Sequence, residues 1–229
     1  MKTNFLNFRF FSTLLLLSIL SFLSCAPKPY QIANLPRQLP RNPMIVVLPY
    51  QVIFSGKLPK NLSEEQRVKQ DREERIAFQR SLFNYLSGKL AKEPIRIMQI
   101  QQSNAKLAEL GFDIYNIEKY QPQELAKALG ADAIIAPSLE KFRYRSDEAS
   151  FAIDAASAIF FVASKGAVDL PYGISSTNDV KANCALIAAK DGTMLWNVGR
   201  TGKANWNYQV NNVMDDLHRR MARKVPSFD

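Results

Sequence analysis

The chain has 229 residues and carries 30 basic against 21 acidic side chains, a net charge of +9; the length allows one domain with a substantial core plus an extension. With 2 cysteines and 1 histidine, a cysteine cluster for metal is excluded by count and a zinc site is not expected. The basic balance suits anionic lipid headgroups, anionic cell-wall polymer or nucleic acid.

The first twenty-five residues decide among these. A basic start (Lys2, Arg9) leads into the apolar run from Leu14 to Leu20 and then to Phe22-Leu23-Ser24-Cys25. This is the plan of a secretory signal, and its apolar core is too short to span a bilayer of roughly 30 Å. The ending at Cys25 resembles the bacterial lipobox, with Phe22 where Leu, Val or Ile is usual and Leu23 where a small residue is common. The resemblance implies removal of residues 1–24 and acylation of Cys25 with diacylglycerol and an N-acyl chain such as palmitate. At roughly 0.8 kcal/mol per buried methylene, such chains anchor firmly. Removal takes 2 basic residues and no acid, leaving 205 residues and a net charge of +7. Export makes nucleic acid the least expected partner, and no nucleic-acid role is predicted. Cys184 then has no intrachain partner and reads as a small buried apolar residue in a strand.

Pro27, Pro29, Pro36, Pro40 and Pro43 make residues 25–43 an expected extended tether, of about 60 Å if some twenty residues rise ~3.1 Å each. Met44–Pro49 reads as a strand buried on both faces. Residues 51–63, with Gly56, Pro59 and Asn61, read as a loop, and Ser63-Glu64-Glu65-Gln66 as a helix start. A helix is expected to Lys92, with Ile76, Phe83, Leu86 and Leu90 on one stripe and Lys69–Arg75 as a solvated stretch. After Pro94, Ile95–Ile100 alternates as a strand would, and a short helix follows at 103–110. Gln121–Gly130 has proline near its first turn and glycine at its end, as helices do, and Ala131–Pro137 is the next strand. Val180–Ala189 and Met194–Val198 form a hairpin around Lys190-Asp191-Gly192-Thr193, and a last helix is expected over 211–224. The whole reads as a single α/β domain at 44–229: a mixed central sheet built β-α-β-α-β, a C-terminal hairpin and a final helix.

An apolar insert at about 146–178 interrupts this plan, and two structures fit its central stretch, 149–174. As a strand pair, Phe151, Ile153, Ala155, Ile159 and Phe161 share one face, Ser164-Lys165-Gly166 turns, and Val168, Leu170, Tyr172 and Ile174 line the way back. Each arm has about the ten residues of a membrane strand, and one hairpin demands a ring of subunits to close a barrel. As an alanine-rich helix over 149–164, favoured by Ala152, Ala156 and Ala158, the segment docks on its own domain or a neighbour, with Asp154 near the helix start. Both versions expose apolar surface that needs a partner. The contact residues expected, for membrane or for a second subunit, are Phe151, Ile153, Ile159, Phe160, Phe161, Val162, Leu170 and Tyr172.

Catalytic constellations are not found. His218, followed by Arg219 and Arg220, reads as part of a solvated helical face, and no Gly-x-Ser-x-Gly elbow accompanies it. The nine glycines form no phosphate-binding loop. Asp147-Glu148 and Asp215-Asp216 read as solvated acidic pairs, Arg219–Lys224 as the cationic end of a helix, and Trp196 and Trp206 as core or interface residues. No enzyme activity, catalytic residue, metal or free cofactor is expected.

Leu125–Ile135, which ends a helix at Gly130-Ala131-Asp132 before a core strand, and Ala185–Trp196, which turns at Asp191-Gly192 before an aromatic residue, resemble corresponding segments of the curli secretion channel (CsgG-like) superfamily of bacterial envelope lipoproteins. That group includes the outer-membrane activator of penicillin-binding proteins and related small lipoproteins. The resemblance covers roughly residues 44–224, and its motifs are short and structural. The channel carries two long membrane-inserting hairpins, whereas this chain has room for one, between Arg145 and Asn178. It implies an outer-membrane lipoprotein facing the periplasm, held to membrane lipid by Cys25 and acting as an oligomerising assembly or export component, with another envelope protein as a possible partner. The alternatives it leaves open are a periplasm-spanning regulatory module for a cell-wall synthase and a pore-forming ring subunit.

Overall fold

The computed structural model of the protein describes residues 28–56, 63–163, 175–205 and 207–228. In chain order the elements are strand β1 (Tyr30–Gln31), a 3-10 turn (Leu35–Gln38), β2 (Met44–Val47), β3 (Gln51–Gly56), helix α1 (Glu64–Leu90), β4 (Arg96–Ile97), α2 (Ile100–Glu109), a 3-10 turn (Ile117–Lys119), α3 (Pro122–Leu129), β5 (Ala133–Arg143), α4 (Asp147–Ala163), β6 (Asn178–Ala188), β7 (Met194–Ala204) and α5 (Val210–Ala222). They form a mixed α/β single domain on one 7-stranded sheet of order β1-β7-β6-β5-β2-β4, with β3 also paired to β5.

Local sequence explains most of these boundaries. Helix α1 starts in a capping box: the Gln66 N–H donates to Ser63 Oγ (3.2 Å) and the Ser63 N–H to Gln66 Oε1 (2.9 Å). Helix α3 begins at Pro122 and stops at Gly130, whose φ of 69° is the left-handed conformation that glycine adopts most readily. The β6–β7 hairpin closes as the Thr193 N–H donates to Asp191 Oδ1 (2.9 Å).

Strand β5 is the spine. Its first residues pair in parallel with β2 (Ile45↔Ala133 to Val47↔Ile135), its second half in parallel with β3 (Gln51↔Ser138 to Gly56↔Arg143), and its whole length antiparallel with β6. Two cores lie on the two faces. On the inner face α1 and α5 cover Ile135, Leu139, Val180, Ala182, Cys184 and Trp196 with Phe78, Leu82, Leu86, Met214 and Leu217. On the outer face α2 and α3 cover Val46, Leu48 and Ile134 with Leu107, Leu125 and Leu129. Burying one such leucine is worth about 1.5–3 kcal/mol.

Three expectations from sequence change here. Residues 51–56 are not loop but β3: Pro49 ends β2, the chain bends and rejoins the same edge of β5. The stretch from Ile95 keeps only two strand residues, because Ile100 already opens α2. The proline-rich stretch is anchored to the domain at several points: Tyr30 and Gln31 pair with Asn197 and Trp196, and Leu35 and Leu39 are buried in the inner core.

Candidate functional site

Among the described residues the outer edge of the β2–β3 run has no neighbouring strand beyond β4, and helix α1 stands in for one. Gln79 donates to the Val47 carbonyl (2.8 Å), and the Arg75 guanidinium donates to the carbonyls of Tyr50 (3.1 Å) and Val52 (3.3 Å). Arg75 and Gln79 lie one turn apart, so one face of α1 caps carbonyls along the edge. The remaining donors of Arg75 reach Asp71 (2.8 Å) and Glu118 (3.3 Å). The sequence reading of Lys69–Arg75 as solvated therefore fails at Arg75, which is buried because it saturates carbonyls that would otherwise be orphaned.

His218 is likewise not on a solvated face: it is fully buried between α5, α1 and the turn before β3. Its Nε2 lies 2.7 Å from Tyr50 Oη and its Nδ1 2.8 Å from Ser81 Oγ. Ser81 Oγ donates to Asp215 Oδ1 (3.2 Å), and Tyr85 Oη to Asp215 Oδ2 (2.9 Å). One proton arrangement satisfies the chain: Tyr50 donates to Nε2, Nδ1–H donates to Ser81, and Ser81 donates to Asp215. Burial lowers the imidazole pKa from 6.5 to about 4, with Asp215 opposing, so His218 is neutral. In this order Ser81 gives its proton to a carboxylate and receives one from the imidazole, the reverse of an activated nucleophile. The cluster ties three elements together. Cys184 is buried, with its thiol pushed up to about 12 by desolvation, and is inert. Trp196 is a core residue whose Nε1–H donates to the Lys224 carbonyl (3.0 Å), while Trp206 lies outside the described residues. Among the described residues no three His, Cys, Asp or Glu side chains gather as metal ligands.

The element that stands apart is α4. Of the two structures open for the insert, residues 147–163 take the helix, so the strand arm through Phe151–Phe161 is not formed. The N-terminal turn holds Asp147 and Glu148, where the dipole favours them; Asp154 lies a further turn and a half along. The Glu148 carboxyl is held below its ordinary value by its own backbone N–H and by Ser146. The base is fixed: the Ser150 hydroxyl donates to the Ser175 carbonyl, and the Tyr144 N–H to the Thr177 carbonyl (3.1 Å). Beyond it, Ile153, Asp154, Ala155 and Ser157 are half-buried, while Phe151 and Ile159 stay 55% and 69% exposed. No described helix is long and apolar enough to cross a membrane.

Of the contact residues expected from sequence, Phe151, Ile153 and Ile159 stand on α4, with Ile153 half-buried. Phe160, Phe161 and Val162 continue the same helix. Leu170, Tyr172 and Cys25 lie outside the described residues. Sequence reasoning missed a second exposed apolar group near the base of α4: Ile53 on β3 and Phe142 on β5, 51% and 45% exposed. The non-alternating Ile53-Phe54 pair in a stretch read as loop was the available signal.

No protein-family model matches the chain, and no curated protein matches it in sequence. Among solved structures it is similar to the lipoprotein GNA1162 from Neisseria meningitidis, with a TM-score of 0.44 and 13% identity over 79% of this chain and 94% of that one. It is similar to the PelC dodecamer from Paraburkholderia phytofirmans, with a TM-score of 0.42 and 13% identity over 82% and 92%. The LpoB C-terminal domain from Salmonella enterica gives a TM-score of 0.38 and 11% identity over 71% and 83%.

Proposed function

We propose that this protein is a non-enzymatic bacterial envelope lipoprotein, held at the outer membrane through an acylated Cys25 and working by self-association through helix α4. The observation that carries this is a 17-residue helix of mostly apolar residues, of which Phe151, Ala152, Ala156, Ala158 and Ile159 stay exposed. Its polar residues Asp147, Ser150, Asp154 and Ser157 fall on one stripe, and the broad apolar remainder of such a helix is stabilised in water when something else buries it. The polar groups with catalytic chemistry, His218 and Ser81, are spent on tying α1, α5 and the β3 turn together.

The alternative of a module reaching across the periplasm is disfavoured by one further observation. Because Tyr30 and Gln31 are paired to β7, four residues separate Cys25 from the domain, a reach of about 15 Å over the five steps to Tyr30 at ~3.1 Å each. The domain would sit against the membrane.

The test is the native mass of the detergent-extracted protein by light scattering, for the wild type, for a deletion of 149–174 and for Ile159→Glu. An oligomer that falls to monomer in both variants, each still unfolding in one cooperative thermal transition, supports the proposal. A wild-type monomer overturns it.

A further inference from the structure

We infer that the N-terminal segment and the chain after α5 together form a basic foot that rests on anionic lipid headgroups beside the anchor; this rests on the proposed acylation of Cys25 and adds which side of the domain meets the membrane. The two segments lie against each other at the β1 edge of the sheet. Gln31 pairs with Trp196, whose Nε1–H donates to the Lys224 carbonyl (3.0 Å). Farther along, Leu39 and Arg41 line a surface recess together with Phe228. Residues 28–43 and 219–228 contain no acid. Of their cations, Arg219 and Arg220 are paired to Asp216. Lys28, Arg37, Arg41, Arg223 and Lys224 are exposed and enter no ion pair among the described residues.

Two acids adjoin this surface. Glu93 is half-buried and accepts from the Phe228 N–H (2.8 Å) and the Ser227 hydroxyl (3.0 Å), with exposed Lys92 beside it in the chain. Asp229 follows Phe228 and lies outside the described residues. The cations outnumber them. On other surfaces charge is consumed locally, Lys141 by Glu74, Arg143 by Asp147 and Lys181 by Glu140. The end of α5 gives Arg223 and Lys224 a second reason to be basic, because cations there offset the helix dipole. That reason does not reach Lys28, Arg37 and Arg41, which belong to no α-helix.

The short tether and the charge select a lipid surface as partner. Cys25 lies five steps before Tyr30, so acyl chains in a bilayer hold β1 within about 15 Å of the headgroups at ~3.1 Å per residue. A domain held that close meets the leaflet with one of its sides, and the side with unpaired cations is the one an anionic surface attracts. An acyl anchor joined to a basic patch supplies the two signals that firm attachment needs.

The test uses the mature chain, residues 25–229, with Cys25→Ser, which keeps every described residue and cannot be acylated. It is expected to sediment with vesicles of phosphatidylcholine and phosphatidylglycerol, to stay in solution with phosphatidylcholine alone, and to be released by salt. Arg37→Gln with Lys224→Gln, and separately Arg41→Gln with Arg223→Gln, should each weaken that binding about 25-fold, at about fivefold per cation, the equivalent of ~1 kcal/mol. Lys119→Gln with Lys203→Gln removes the same charge from exposed positions on the second 3-10 turn and on β7, and is expected to leave binding unchanged. All three pairs are checked for unchanged thermal melting. Equal weakening by all three means that net charge alone attracts, and overturns the foot. Binding to neutral vesicles as tight as to anionic ones overturns it as well, as does sedimentation with purified peptidoglycan but not with vesicles. The assayed protein has no acyl chain, so these outcomes judge the foot alone. The acylation is judged separately by the intact mass of the membrane-extracted protein, and a mass without acyl chains removes the anchor and the membrane placement with it.

Discussion

The two halves of the sheet are made of the same strands and finished differently. In the near half, Ile45, Val47, Ile134 and Leu186 are buried between helices on both faces. In the far half, β3, β5, β6 and β7 run on past the covering helices α2 and α3, and their outer rows are mostly polar, with Ile53 and Phe142 the apolar members. Parallel strands buried on both faces read as continuous apolar runs, and strands open on one face alternate. Strand β5 shows both within eleven residues: Ala133-Ile134-Ile135 is apolar throughout, while Leu139-Glu140-Lys141-Phe142 is mixed. Stability is concentrated where two layers of helix meet the sheet, and the open half is free to serve association.

That contrast is broken most directly by Leu82→Ala, which empties a fully buried position of α1 against the inner face. Loss of 2–5 kcal/mol is expected from the methylenes removed and the cavity left, measured by denaturant unfolding. A loss under about 1 kcal/mol, the range of a surface substitution, would deny that the inner core is closely packed.

The next effect is one of pH. His218 faces Tyr50 from the turn before β3, Ser81 and Phe78 from α1, and Asp215 from its own helix. Its folded pKa is depressed to about 4 from 6.5, so between these values the unfolded chain binds the proton that the folded chain refuses. Stability is therefore full above about pH 6.5 and is lost as pH falls through 4, by on the order of 3 kcal/mol. Unfolding free energy measured across pH 4–7 should slope upward with pH in the wild type and lose most of that slope in His218→Gln. An unchanged slope in the variant would place the titration elsewhere.

Where α5 crosses β7 the inner face is tight even in the far half. A methyl at Gly202 would fall 2.4 Å from Val213 Cγ1 and 3.6 Å from Leu217 Cδ2. Gly202→Ala forces α5 outward and is expected to lower stability by about 1–3 kcal/mol. Equal stability would mean that α5 is loosely seated, contrary to the fully buried Val213, Met214 and Leu217.

What could be read from the sequence follows the same division between local and distant causes. Ser63 with Gln66, Pro122 with Gly130, and Asp191-Gly192 act within a few residues, so the helices and the hairpin were legible. The helical character of 147–163 was legible as one of two alternatives through Ala152, Ala156 and Ala158. Strand β3 was not, because its pairing with β5 is set more than eighty residues away and its exposed Ile53 and Phe54 break the alternation. Arg75 and His218 were misread for a related reason: a charged or titratable side chain on a helix is ordinarily solvated, and only carbonyls of Tyr50 and Val52, or the hydroxyls of Tyr50 and Ser81, give it a reason to be inside.

The smallest expected change in stability sharpens the comparison most. Ile159 is as apolar as Leu82, and in a folded core its replacement by serine would cost several kcal/mol. At 69% exposure on α4 it has little burial to lose, and the fall in unfolding free energy for Ile159→Ser should be within about 0.5 kcal/mol when the protein is diluted to monomer. At concentrations where copies associate, the same substitution should lower the apparent melting temperature, because association adds stability by mass action and the side chain acts there. A melting temperature that depends on concentration in the wild type and not in Ile159→Ser is the signature of an apolar residue selected for a neighbour. Equal dependence in both proteins would return Ile159 to the ordinary scatter of surface isoleucines and leave α4 without a reason for its composition.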